Sequence, residues 1–441
     1  MCDYHDKRTA HPDPDAEWDY SNGRVYRVQA KGARPAPHVD LNDLSSDELV
    51  DRLGETNFWY VRLARRILAE RRDGSVIPRL RRLALESDND HQALEALWAL
   101  NASGGFDDAV ARRLLHHRSA PVRSWTVRLL GDCRDVSAAI RSELVALARE
   151  EPSTAVRSQL ASTAKRLPAE QALPIVWELV LREEDVDDPH VPLLLWWAVE
   201  SKAVSDQAAV LDLLTAPEAW DAPLVRDVIH GRLMRRYAAD GSEETLSACL
   251  RLLEAAPSEK HLNHMLAALD QGLGGRLEDA PDAFRAKMAE LVEGEGAKDV
   301  RRLRLALRSD VPGVHERIEE LAADPKMSTP DRVSLIELLG EIGRPSCLPT
   351  LIPLLHIDEQ HHVEIAVLFA IARFDDDRVP AKVLKEYPRF SAKLKSMCLR
   401  VLLSRPHWAL AFLEEVDRGK IDPESILVDE LRGLASYQDE E

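Results

Sequence analysis

Ser119-Ala120-Pro121-Val122-Arg123-Ser124-Trp125-Thr126-Val127-Arg128-Leu129-Leu130 reads as the opening of a short amphipathic helix. Ser119 can cap it, Pro121 sits in the first turn where a missing N–H does no harm, and Val122, Trp125, Leu129 and Leu130 fall on one face. A single helix of this kind cannot cover its own apolar stripe and must stack on neighbours. Those neighbours are written in the same phrase, a small polar or Pro-containing turn followed by Val-Arg. It recurs at Val61-Arg62 and Val156-Arg157, with a degenerate copy at Gln92-Ala93. The steps from Arg62 to Gln92, Arg123 and Arg157 are 30, 31 and 34 residues, and a second series runs Arg332-Val333, Val363, Lys395. Periods near these values, built of two helices each, mark an α-solenoid.

The expected fold is therefore all-α, a superhelix of HEAT-like helix pairs over residues 44–441. Its start is fixed by Ser45 and Glu48 as a capping box, with Leu44 and Leu49 as the hydrophobic staple. Pro168 and Pro330 mark further helix starts. About eleven pairs should follow, in a curved array about 100 Å long at helix spacings near 10 Å. Between about 255 and 330 the helical pattern persists but the period is lost, and no repeat boundaries are placed there. Residues 1–43 differ. Asn22-Gly23 lies between segments of strand propensity and predicts a β-hairpin over residues 17–28, with Lys31 to Pro37 as a linker.

Composition supports the helical reading. Of 441 residues 45% are apolar, glycines number 19 and aromatics make up only 5%, a balance that favours helix over sheet. The net charge of −18 argues against general affinity for nucleic acid or anionic membrane. The longest apolar run, Val191 to Val199, is far shorter than the roughly 20 residues of a membrane span. With no signal-peptide pattern at the N-terminus, the expected location is cytoplasmic. Cys2, Cys133, Cys249, Cys347 and Cys398 stand apart, without a Cys-x-x-Cys unit, and the later four are expected in the core.

Candidate sites are few. Arg62, Arg65, Arg66, Arg71, Arg72, Arg79, Arg81 and Arg82 face only Glu70 and Asp73 between positions 62 and 82. They could form a basic patch, with Arg62, Arg65, Arg66, Arg79 and Arg82 as the partner-binding candidates, or brace adjacent repeats. No aromatic or Gly-rich loop is seen to build a base pocket beside them. Trp196-Trp197 is the other candidate; adjacent helical residues point about 100° apart, so the two face different sides. His261 and His264 share a helical face and could hold a metal. His356, Asp358, Glu359, His361, His362 and Glu364 crowd a turn, and Asp13, Asp15, Glu17 and Asp19 have the composition of a calcium loop without its Gly and Glu. No catalytic, cofactor or metal residue is assigned.

Asp13-Pro14-Asp15-Ala16-Glu17-Trp18-Asp19 with Gly23-Arg24-Val25-Tyr26-Arg27-Val28 resembles the closing propeller strands of PVC-type bacterial membrane-bound dehydrogenase-like proteins. Asp188-Pro189-His190-Val191-Pro192-Leu193-Leu194-Leu195-Trp196-Trp197-Ala198-Val199-Glu200 and Arg232 to Ala239 resemble the helical region that follows in that family. The family joins a β-propeller dehydrogenase, a HEAT array and a cytochrome c domain. The resemblance covers nearly the whole chain, but only as the middle of such a protein. Most of the propeller and the Cys-x-x-Cys-His of the haem domain are missing, so no catalytic residue or haem ligand carries over. It implies a non-catalytic connector whose partners are a propeller dehydrogenase and a cytochrome c, and a periplasmic location within the exported parent. The alternative is a HEAT-like nucleic-acid-binding or DNA-repair protein using the Arg62–Arg82 cluster.

Overall fold

The computed structural model describes residues 2–3, 24–26, 28–32, 39–275, 277, 280–356, 362–423 and 426. Internal contacts divide the chain into two units, Met1–Asp107 and Asp108–Glu441. The division falls inside the helical body expected from residue 44 onward.

The first unit holds α1 (Ser46–Arg52), α2 (Phe58–Arg71), α3 (Ile77–Glu86) and α4 (Asp90–Ala102). The capping box is present: Glu48 N–H donates to Ser45 Oγ at 3.3 Å, and the Glu48 carboxylate accepts from Ser45 N–H at 2.7 Å. α2 packs on α1 and α4, and α3 on α4, burying Val61, Ala64, Leu68, Leu80, Ala93, Leu97 and Leu100. The β-hairpin expected over residues 17–28 is not shown: residues 17–23 and 27 lie outside the described residues, and Arg24–Val25 pairs antiparallel with Cys2–Asp3.

In the second unit the helices are α5 (Asp108–Leu115), α6 (Ala120–Asp132), α7 (Ala138–Glu150), α8 (Thr154–Ala164), α9 (Ala169–Val180), α10 (Val191–Glu200), α11 (Gln207–Leu214) and α12 (Pro217–Asp221). They continue as α13 (His230–Asp240), α14 (Glu243–Glu254), α15 (Glu259–Gly272), α16 (Asp282–Leu291), α17 (Val300–Arg308), α18 (Val314–Ala323), α19 (Thr329–Ile342) and α20 (Leu348–Leu351). The last are α21 (His362–Ile371), α22 (Arg378–Glu386), α23 (Ala392–Leu402) and α24 (Pro406–Asp417). Helices pack on the next and on the next but one: α6 on α5 and α8, α8 on α9 and α10, α17 on α18 and α19, and α21 on α19 and α23. That is how stacked pairs share a core in a helical repeat. The rhythm is interrupted after α11, where α12 and a π-helical turn at Val225–Ile229 are inserted before α13.

Pairing continues through residues 255–330, where the sequence period fails. The cause is connector length: α15, α17 and α19 begin at 259, 300 and 329, steps of 41 and 29 residues. In α6 the buried stripe is Val122, Thr126, Val127 and Leu130, with Trp125 and Leu129 half-buried at its margin. Ser119 makes no side-chain cap hydrogen bond, contrary to its sequence reading; its N–H instead donates to His117 Nδ1 at 3.0 Å.

In two of its three copies, at Arg123 and Arg157, the Val-Arg phrase links neighbouring repeats. Arg123 donates to both oxygens of Glu151 at 2.5 and 2.8 Å and to the His117 carbonyl at 2.8 Å. One repeat on, Arg157 donates to both oxygens of Asp185 at 2.5 and 2.6 Å and to the Glu151 carbonyl at 2.8 Å. Glu151 thus takes one arginine on its carboxylate and the next on its carbonyl, tying consecutive turns together. The second pair is almost wholly buried, with side-chain exposures of 3% and 1%.

Candidate partner-binding surface

The arginine cluster sorts itself once the helices are in place. Arg71 donates to the carbonyls of Leu44 and Asn42 at 2.7 and 2.8 Å. Arg79 reaches α1, bonding the Asp47 carbonyl at 2.9 Å and pairing with Asp51. Arg81 pairs with Asp107 at 2.6 Å and also bonds the Gly105 carbonyl. Arg65 pairs with the buried Glu95 at 2.5 Å and lies 4.8 Å from the Trp98 ring, and Arg66 pairs with Glu70 along α2 at 2.7 Å. Five of the eight are therefore engaged inside the unit, while Arg62, Arg72 and Arg82 are exposed and make no ion pair among the described residues. Arg79 and Arg82 belong to α3, which packs on α4, so the candidates do not share one helix surface.

What gathers at α2 instead is a mixed aromatic and cationic face. Asn57 caps the helix, its side chain accepting from Trp59 N–H at 3.1 Å. With Val61, Ala64, Ile67 and Leu68 turned inward, the 100° step per residue sends Trp59, Arg62 and Arg66 outward along one stripe. Phe58 is 55% and Trp59 61% exposed. Phe58 stands edge-on to His91 of α4 at 5.1 Å, and Trp59 edge-on to Tyr60 at 5.1 Å. The expectation that no aromatic accompanies the arginines is thus corrected. Phe58-Trp59-Tyr60 lies one residue before Arg62, and the i, i+3 spacing of Trp59 to Arg62 is the available signal.

Trp196 and Trp197 face different sides, as the helical step requires. Trp196 is 7% exposed in the core; Trp197 is 39% exposed, with Lys165 Nζ 5.4 Å from its ring centre. Cys249, Cys347 and Cys398 are buried, and burial pushes each thiol up to about 12. Cys133, expected in the core, is exposed, because it is the C-cap of α6 and follows the last inward turn.

The histidine pair acquires a third member. His230 is fully buried on α13, its Nε2 2.8 Å from the Leu214 carbonyl and its ring 4.0 Å from Trp220. Trp220 also stands edge-on to His261 at 5.6 Å, whose Nδ1 meets Ser258 Oγ at 2.8 Å. His264 of α15 is exposed. Burial pushes the His230 pKa down to about 4. Among the described residues no three ligating side chains are set to hold a metal. Of the second cluster, His362 is exposed and Glu364 buried; the side chains of His356, Asp358, Glu359 and His361 lie outside the described residues, as do Asp13, Asp15, Glu17 and Asp19.

Among the described residues, the carboxylates whose pKa moves all move down. Arg149 holds Glu178 low, Arg226 holds Asp227 low, and Arg378 brings Asp376 to about 2. A general acid needs the opposite shift. Lys202 is lowered by burial, but its ammonium donates to the Lys165 carbonyl at 3.0 Å, closing the C-terminus of α8. No helix among the described residues is long and apolar enough to cross a membrane. The sequence matches no protein-family model and no curated protein.

Proposed function

We propose that the chain is a non-catalytic HEAT-like α-solenoid that holds protein partners, with the outer face of α2 as one contact surface. The observation that carries this is the exposure of Phe58 and Trp59 beside Arg62. Aromatic and arginine side chains dominate the energy of protein interfaces, and on this surface the other arginines are mostly consumed by internal pairs. Trp197 beneath Lys165 is a second, smaller contact point on the other unit.

The partner suited to α2 offers an apolar pocket rimmed by carboxylates. The resemblance to PVC-type dehydrogenase-like proteins suggests the propeller dehydrogenase and cytochrome c domains of that family, with residues 1–43 as a propeller-end-like segment. The second reading, nucleic-acid binding, draws on the same face, since aromatic stacking beside arginine also suits single strands. Calorimetric titration of the full chain with a purified propeller domain and a cytochrome c domain tests the first. Binding that falls at least about tenfold in Trp59→Ala supports it; no binding to either domain removes those partners. Titration with a random oligonucleotide at two salt concentrations tests the second, which predicts a steep salt slope.

A further inference from the structure

Helix α21 is apolar almost all round: of its ten residues only His362 and Glu364 are polar. A helix of that composition belongs in an interior, yet Phe369 is 45% exposed and Ile365 half-buried. The packing against α19 explains the opening. Toward the C-terminal ends Gly340 lets the two helices close up, since a Cβ there would stand 2.7 Å from Ala370 Cα and 2.8 Å from its Cβ. No glycine stands earlier in the two helices, and from their first turns as far as Glu337 and Phe369 a cleft of about 420 Å³ opens. Pro330, Val333, Ile365, Ala366 and Phe369 form its apolar lining, joined by the polar Thr329, Glu337 and His362. Glu337 is exposed and makes no ion pair among the described residues.

We propose that this cleft receives an amphipathic helix of a protein partner, which inserts aliphatic side chains spaced i, i+4 and i+7 and sets a lysine or arginine against Glu337. The volume falls within the range of about 300–1,000 Å³ typical of binding clefts, and helix-in-groove recognition uses this anchor spacing. The unmatched carboxylate decides the charge of the occupant: an acidic helix would place like charges together on desolvation, while a cationic one pairs with Glu337 at the edge of an apolar floor. A bare apolar ligand would leave that carboxylate partly desolvated without compensation. The proposal deepens the scaffold reading and rests on it, but it concerns a different unit from the α2 face.

The test uses the full chain and fluorescein-labelled, alanine-rich helical peptides of about 16 residues with leucines at i, i+4 and i+7. In one set a single lysine is stepped through the remaining positions; in the other, a glutamate. Fluorescence anisotropy should show at least one lysine peptide binding about tenfold more tightly than its glutamate counterpart. Phe369→Asp should weaken that binding about tenfold or more, and Glu337→Lys should reverse the preference. Both sites are exposed, and circular dichroism melts confirm that each variant folds. The proposal is overturned if no peptide binds below about 1 mM, if lysine and glutamate peptides bind alike, or if Phe369→Asp binds as tightly as the parent. Trp59→Ala separates the two proposals: it should leave peptide binding unchanged even where it abolishes contact at α2.

Discussion

Replacing Asp185 by asparagine should show how much the arginine ladder contributes. Asp185 is wholly enclosed and takes two hydrogen bonds from Arg157, whose remaining donors go to the Glu151 carbonyl and, at 3.2 Å, to Thr154 Oγ1. Asparagine keeps the shape but removes the negative charge and offers only one acceptor oxygen, so the guanidinium stays buried without its counter-ion. Breaking a buried pair in this way costs about 3–5 kcal/mol. The pair itself need not be worth that amount, because both ions lost their hydration on folding. Arg157→Met with Asp185→Leu, which removes the charges together, should therefore return to within about 2 kcal/mol of the parent. Urea unfolding of the parent, the Asp185→Asn chain and the double mutant, followed by circular dichroism, gives the comparison; the transition containing α8 can be assigned by amide exchange on that helix. Two units make a single transition unsafe to assume, so the comparison rests on midpoint shifts at constant slope. An Asp185→Asn chain within about 0.5 kcal/mol of the parent would refute the ladder as a stabilising link. So would a double mutant no better than the single one.

Three further outcomes are expected. His230 has a folded pKa near 4 against an ordinary value near 6.5, so it favours the folded state fully above pH 6.5 and loses that contribution as pH falls toward 4. The loss should reach about 3 kcal/mol; an acid-melt profile unchanged in His230→Gln between pH 6.5 and 4 would contradict it. Trp196→Ala should cost about 3–5 kcal/mol, and Trp197→Ala about 1 kcal/mol or less, as read by the same urea melts; equal losses would mean that the pair is not split between core and surface. In a Cys2→Ser background, a thiol reagent at pH 8 should label Cys133 promptly, while Cys249, Cys347 and Cys398 react only on unfolding, because burial holds those three near 12. Rapid labelling of more than one thiol in the folded chain would overturn that assignment.

Much of this protein was legible in the residues alone, because helix signals are local. Ser45 with Glu48, Pro121 and Pro330 in first turns, and apolar residues at helical spacing need no distant partner to be read, and the stacked pairs follow from stripes that no single helix can cover. The division of Trp196 from Trp197 also follows from the 100° step. Other features are relations between helices. The cysteine at 133 was placed in the core on residue type, and its position just past the last inward turn of α6 put it outside. The spacing of Val-Arg gave the period, but not that Arg157 would meet Asp185 or that Glu151 would join two arginines. Arg65 and Arg79 read equally as a basic patch or as braces between repeats, and only the packing shows that they brace, against Glu95 and Asp51. Only packing brings His230 to Trp220 and His261, or closes α19 on α21 at Gly340 and leaves Glu337 unmatched beside an apolar cleft. Period and caps are written within a turn or two of chain; ion pairs and clefts depend on the relative placement of whole helices, which varying connectors such as those between 272 and 300 do not reveal in advance.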